Sequence, residues 1–429
     1  MSPVPSQQPF FGWRVVAAAF VLAAFGWGLG FYGPPIYLHA VVARTGWSVA
    51  LVSTAVTVHF LVGVVVIANL PTLYRMFGIG AVTTLGSLLL AVGVVGWAIA
   101  GQPWQLFAAA LVSGAGWVAM GAAAVNAIIA PWFVRTRPAA LAMAYNGASV
   151  GGVVFSPLWV ALIAAFGFVR AAVLIGAAMG LIIAALSVVV FSKTPQSLGQ
   201  SADGDATGAP AARITSPDAR PLPGMALWRD WRFQTLAVGT ALGLFAQIGL
   251  IAHLFSLLVP VLGAQTAGIA MGLATASAIV GRTLFGWLMP VEADRRLVVC
   301  ASYSVQVVGS LVFIAAGETS VPLLMLGVVL FGLGIGNATS LPPLIAQIEF
   351  VATDVPRVVP LVVAIGQATY AFAPAAFGLL RSFPPGALPM PMPTQGSTLF
   401  FAATAVVQLL AITCFLAGRR RAETDNASR

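Results

Sequence analysis

The chain has 429 residues, 60% of them hydrophobic and only 7% charged. Soluble domains carry about 25% charged residues, so a water-soluble globular fold is excluded. The net charge of +9 does not signal nucleic acid, because the basic residues alternate between loops and form no stripe along one face.

A bilayer core of about 30 Å takes about 20 apolar residues per helix. Long unbroken apolar runs are not the short alternating strands of a membrane barrel. The sequence therefore predicts an all-α membrane protein with twelve transmembrane helices, at 13–38, 48–70, 79–100, 104–129, 139–165, 168–191, 234–260, 267–289, 297–317, 321–347, 357–381 and 396–417. The first run continues past Pro34 without a small-residue cleavage site, so no signal peptide is expected. Tyr32, near its outer end, is a candidate substrate contact. Ser48 is a candidate N-cap for the second run, which holds His59 near its middle. Gly101-Gln102-Pro103-Trp104 separates the third and fourth runs. Asn126 lies in the fourth. The fifth holds Tyr145, Asn146 and a small-residue face of Gly147, Gly151 and Gly152, followed by Pro157.

The segment from Ser192 to about Trp231 is rich in Ala, Ser, Pro, Gly and Asp and reads as a flexible cytoplasmic linker. It divides the chain into a six-helix bundle (1–191), a linker (192–232) and a second six-helix bundle with a short cytoplasmic tail (233–429). The seventh run holds Gln247 and His253, and the eighth holds Arg282. The turn Gly317-Glu318-Thr319-Ser320 precedes the tenth run, which contains Gly332, Gly334, Gly336 and Asn337. Gln367 and Tyr370 lie in the eleventh. Both cysteines, Cys300 and Cys414, fall in apolar runs and imply neither a disulfide framework nor a zinc site.

Twelve spans put both termini on one side. Of the 20 Lys and Arg, only Arg44, Arg170 and Arg381 fall on the other side and only Arg282 well within a run. The rest, including Arg213, Arg220, Arg429 and the tail Arg419–Arg421, share the side of the termini, which the positive-inside rule makes cytoplasmic. All eleven Asp and Glu lie between or outside the runs, Glu349 just past the tenth. A lone guanidinium in hydrocarbon costs roughly 3 kcal/mol on translocon scales, so Arg282 is a candidate anchor for an anionic substrate. A structural arginine bonding helix-end carbonyls is the other reading. His59 and His253 are candidates for proton coupling, or else simple interhelical hydrogen-bonding groups. Asn126, Tyr145, Asn146, Gln247, Asn337, Gln367 and Tyr370 either line a central cavity or join helices. No phosphate-binding loop, no nucleophile with its base and no metal-ligand cluster appears, so neither an ATP-driven pump nor an enzyme is expected, and no cofactor or metal.

Six helices, a central loop and six more resemble the major facilitator superfamily. Trp132-Phe133-Val134-Arg135-Thr136-Arg137-Pro138, followed by Ala140, Gly147, Val150 and Gly151, resembles the helix 4–5 segment of the monocarboxylate transporter family and its bacterial relatives. Gly12-Trp13 and Gly46-Trp47-Ser48 fit the same group. The resemblance implies gating or conformational roles for Arg75 in the second loop, for Arg135, Arg137, Gly147 and Gly151, and for Asp294 and Arg295 after the eighth span. It also implies alternating access between two bundles. Departures are clear. The Asp expected before Arg75 is absent, Arg282 lacks the family's Asp four residues earlier (here Ala278), and the family's Lys in the first helix is missing, since Lys193 is the chain's only lysine. The expected function is secondary active or facilitative transport of a small organic anion, a monocarboxylate, by a monomer in the bacterial inner membrane. Protons are a candidate coupling ion, and efflux of a hydrophobic or aromatic compound is the alternative.

Overall fold

The computed structural model describes residues 10–204, 221–289, 293–317, 319–382 and 396–427. Arg213, Arg220, Glu318, Arg429, the middle of the expected linker and the side chains of Arg420 and Arg421 lie outside the described residues. Among the described residues every regular element is helical, and twelve helices are long and apolar enough to cross a membrane. They are α1 (Gly12–Thr45), α2 (Val49–Phe77), α3 (Ile79–Ile99), α4 (Pro103–Ile129), α5 (Arg137–Phe166), α6 (Phe168–Phe191), α7 (Trp231–Leu262), α8 (Ala264–Leu288), α9 (Arg295–Ala316), α10 (Val321–Glu349), α11 (Val355–Ser382) and α12 (Ser397–Arg419).

Each expected run is helical, but several reach further than apolarity alone suggested. Backbone groups near lipid bond within their own helix even where side chains turn polar. So α1 continues through His39 and Arg44 to Thr45, α2 continues to Phe77, and α10 takes in Glu349. Arg44 in the last turn of α1 donates to the carbonyl of Ala100 just past α3 at 2.8 Å, a cation at two helix C-termini. Ser48 does cap α2, its hydroxyl accepting from Leu51 N at 3.2 Å. Asp230 and Asp294 cap α7 and α9 in the same manner. Single glycines reverse the chain between α2 and α3 (Gly78, φ 81°) and between α7 and α8 (Gly263, φ 73°), a conformation other residues adopt only at a cost.

Four spans are broken near mid-membrane. In α1 the helix stops at Gly30 and restarts at Pro34; α4 breaks at Gly121, α10 at Gly336, and α11 between Tyr370 and Ala373. Pro34-Pro35 removes two backbone donors and explains the first break.

Within the first half α1 packs on α5, and α3 on α4 and α6. Within the second, α7 packs on α11 and α12, and α9 on α10 and α12. Gly147 and Gly151 bring α5 onto α1, since a Cβ on either would meet the carbonyls of Phe20 or Ala24. Three pairs join the halves: α5 with α8, α2 with α11, and α1 with α7. Their contacts sit in the half of the membrane away from the linker. A Cβ on Gly272 would lie 3.0 Å from the Val153 carbonyl, Ala375 N donates to Thr57 Oγ1 at 3.0 Å, and His39 meets Phe255 at 5.3 Å. One apolar core joins both halves; in the first it extends down to Trp132 and Phe133 near the linker, and in the second it holds far-side residues such as Phe255, Phe377 and Phe400. Toward the linker the second half has a separate core around Phe233, Tyr303 and Phe415, and the first a small one around Leu70 and Val82. The halves thus touch at the far side and splay toward the linker.

The described ends of the linker are docked rather than loose. Asp203 N donates to the Trp132 carbonyl at 2.9 Å. Its carboxylate accepts from Val134 N, Arg135 N, Thr136 N and Thr136 Oγ1 at 2.6–3.1 Å. Gln200 Oε1 accepts from Phe11 N. At the other end Leu222 N donates to Asp354 Oδ2, and Arg357 donates to the Gly224 carbonyl. Polar side chains of a low-complexity segment find unpaired backbone groups at helix ends, which composition does not reveal.

Candidate functional site

The break in α1 sets the centre of the molecule. The Gly30 carbonyl would be bonded by the N–H four residues on, but Pro34 has none. His59 supplies the bond instead, Nε2 donating to Gly30 O at 2.9 Å. A carbonyl only accepts, so the ring carries its hydrogen on Nε2. Nδ1 faces the Ser113 hydroxyl at 2.8 Å, which also accepts from Trp97 Nε1 at 3.1 Å. Tyr37 donates to the Leu29 carbonyl. With its backbone thus held, the break turns Tyr32 toward α5 and α8, and Phe31 toward Trp117 of α4 and Phe60 of α2. Tyr32 lies against Gly152 and Thr275, where a Cβ on Gly152 would come within 2.8 Å of the Tyr32 ring. Arg282 lies two turns below Thr275 on α8, within electrostatic reach of Tyr32.

Arg282 is half-buried. Its one hydrogen bond among the described residues runs from Nε to the Gly336 carbonyl at the α10 break, and is long at 3.4 Å. Its two terminal amino groups have no protein partner there, and no acid pairs with it among the described residues. A planar fork with both tips unengaged suits a carboxylate. Asn126 donates to the Tyr145 hydroxyl at 2.6 Å, joining α4 to α5. Tyr370 at the α11 break meets Phe60 of α2.

Other expected residues sit elsewhere. Gln247 is buried in a ladder, accepting from Gln306, which accepts from Gln408. That ladder joins α7, α9 and α12. Asn337 is buried and bonds the Leu333 carbonyl. Asn146 is exposed on α5, and Gln367 is half-buried on α11. His253 donates from Nε2 to the Pro374 carbonyl at 2.9 Å, with Arg381 beside Nδ1 at 3.3 Å. Arg381 also donates to Ser256 at 2.6 Å.

Of the expected gating residues, Arg75 is exposed and bonds Thr72. Arg137 bonds the Phe133 and Ala130 carbonyls at the end of α4. The loop carrying Arg135 is the one Asp203 grips. Asp294 pairs with Arg419 at 2.5 Å, and Arg295 opens α9 beside it. The buried member of that run is Arg296, which the sequence reading passed over. It is 2% exposed and grips Glu349 in a two-pronged pair at 2.6 and 2.8 Å. The signal was helical spacing, since Arg296, Val299, Cys300 and Tyr303 share one buried face. Trp27, Phe31 and Thr275 were also missed, because aromatic and hydroxyl side chains are common in apolar runs.

A family model described as the Major Facilitator Superfamily matches residues 15–378. No curated protein matches the chain. Among solved structures, a mutant of the nucleoside transporter NupG is similar at 13% identity and a TM-score of 0.71, over 94% of this chain and 99% of that one. A bacterial homologue of the human lysosomal transporter Spinster, inward-facing and occupied, is similar at 15% identity and a TM-score of 0.71, over 97% and 98%. A bacterial homologue of human drug peptide transporters is similar at 13% identity and a TM-score of 0.67, over 97% and 100%. At these identities the likeness is one of fold.

Proposed function

The chain belongs to the major facilitator superfamily and is a multi-pass membrane transporter rather than an enzyme, and from that premise we propose that its cargo is a small organic anion, a monocarboxylate. The observation that carries this reading is Arg282, a cation in the last third of α8 with one weak carbonyl bond and no acid beside it among the described residues. An uncompensated guanidinium is costly at membrane depth. A carboxylate ligand supplies the missing counter-charge and engages both amino groups.

Transport follows from alternating access. The halves meet on the far side and splay toward the linker. With linker and termini placed in the cytoplasm by the positive-inside rule, this is the inward-open state. Of the central group, Arg282 is the partly exposed member, with Tyr32 and Thr275 buried behind it. Both histidines spend Nε2 on a backbone carbonyl, and Glu349 is held by Arg296. Those bonds favour facilitated diffusion or anion exchange over a proton relay through these groups.

The test uses purified protein in proteoliposomes and in detergent. Labelled monocarboxylate should accumulate or exchange, and a carboxylate should stabilise the protein against heat more than its neutral amide does. Arg282→Lys keeps the charge but loses the fork, and should weaken carboxylate binding by roughly 1–3 kcal/mol; Arg282→Gln should weaken it further. Equal stabilisation by acid and amide in the unaltered protein would remove the anion reading.

A further inference from the structure

The rings around the centre of the molecule form one connected chain. It runs from Tyr145 to Trp27 (centroids 6.1 Å apart), to Trp117 (4.9 Å), to Phe31 (6.3 Å), to Phe60 (6.0 Å) and to Tyr370 (5.9 Å). The chain starts on α5, passes through α1, α4 and α2, and crosses to α11 of the second half. Its members differ in cover. Trp117 and Phe60 are each 7% exposed and form a backing layer. Trp27, Phe31, Tyr145 and Tyr370 are only partly buried and pack against the core from its edge. At one point the chain reaches a charge: Phe31 meets Tyr32 at 5.0 Å, and Tyr32 faces Thr275 with Arg282 beyond it.

We propose that the cargo is an aromatic carboxylate of the benzoate class, its ring set edge-on or offset against the Trp27–Phe31–Tyr145–Tyr370 surface and its carboxylate on Arg282. This rests on the anion reading of Arg282 given above and adds the body of the molecule to its head. Aromatic pairs in such geometries attract beyond what buried area supplies. A short aliphatic acid satisfies the guanidinium but leaves the ring surface bare. A flat cation satisfies the rings but is repelled by Arg282.

The experiment measures ligand-induced thermal stabilisation of the full chain in detergent as a function of concentration, with benzoate, cyclohexanecarboxylate, propionate and benzamide. Benzoate should bind most tightly. Cyclohexanecarboxylate, matched in size but without π electrons, should bind about 2- to 10-fold more weakly, and propionate more weakly still. In Trp27→Leu the preference for benzoate over propionate should shrink, whether or not the variant is less stable, because both ligands are compared on the same protein. If propionate or cyclohexanecarboxylate matches benzoate, the aromatic inference falls while the anion reading stands. If benzamide matches benzoate, the anion reading falls and takes this inference with it. Stabilisation by none of the four overturns both.

Discussion

His59 shows how one residue's role follows from another's missing atom. Proline at 34 deprives the Gly30 carbonyl of its helical partner, and the imidazole of α2 makes up the bond. Removing it leaves a buried acceptor unpaired, at a cost of about 1–3 kcal/mol. His59→Leu should therefore lower thermal stability by that order, with the pH profile of transport unchanged. Pro34→Ala restores an N–H four residues beyond Gly30, so it should shrink the penalty of His59→Leu in the double variant. Thermal unfolding of the four proteins closes that cycle. Penalties that simply add would show that surrounding packing, not Pro34, imposes the break. A proton relay through His59 predicts the opposite pattern: a changed pH profile with stability intact. Arg282 was legible in the sequence because a single charge inside an apolar run has few explanations. The histidine's partner was not, because a broken helix exposes a carbonyl that no side-chain pattern encodes.

Elements acquire their ends from such local chemistry. The helical runs could be placed from apolarity, but not their breaks: the tenth run's Gly332, Gly334 and Gly336 read equally well as a close-packing face. The glutamine ladder of α7, α9 and α12 could not be placed either, since it depends on which helices become neighbours. The loop between α4 and α5 is held by a segment some seventy residues away in sequence, through Asp203. Partial burial alone would raise the carboxyl of Asp203, but the Thr136 hydroxyl and three backbone N–H groups more than offset it and hold it at about 2, below the usual 3.8. A carboxyl depressed on folding contributes stability in full above its unfolded value and loses it as pH falls through the folded one. Docking should thus persist unchanged down to about pH 4 and be lost only as pH falls toward 2. A nitroxide on Ser201→Cys should report an immobile segment across that range. In Asp203→Asn it should be mobile at every pH. An equally immobile signal in that variant would assign the docking to Gln200 and the backbone instead.

At the scale of the whole molecule, the twelve helices and their two sets of six were visible in hydropathy and charge, whereas the side on which the halves meet was not. That depends on small residues at α5–α8 and α2–α11, which read equally well as packing within a bundle. Gly272→Trp should wedge the far side apart and favour the opposite state. Maleimide labelling of Asn126→Cys, with Cys300 and Cys414 replaced, should then be slower than in the same protein with Gly272 intact. Unchanged labelling would mean that the α5–α8 contact does not control the opening. The far-side contact has a further property. Among the described residues no ion pair crosses it; the surfaces that part are glycine backbone, alanine, valine, phenylalanine, the His39 ring and a few hydroxyls. Opening it hydrates mostly apolar area, which raises heat capacity by about 0.45 cal/K/mol for each Å² exposed, and the attraction closing it weakens on cooling. Salt has little purchase on such a joint, whereas temperature and excluded osmolytes act on it directly. The resting orientation of this transporter is therefore set by the cost of wetting a seam: cold should loosen the far side, and sucrose should tighten it.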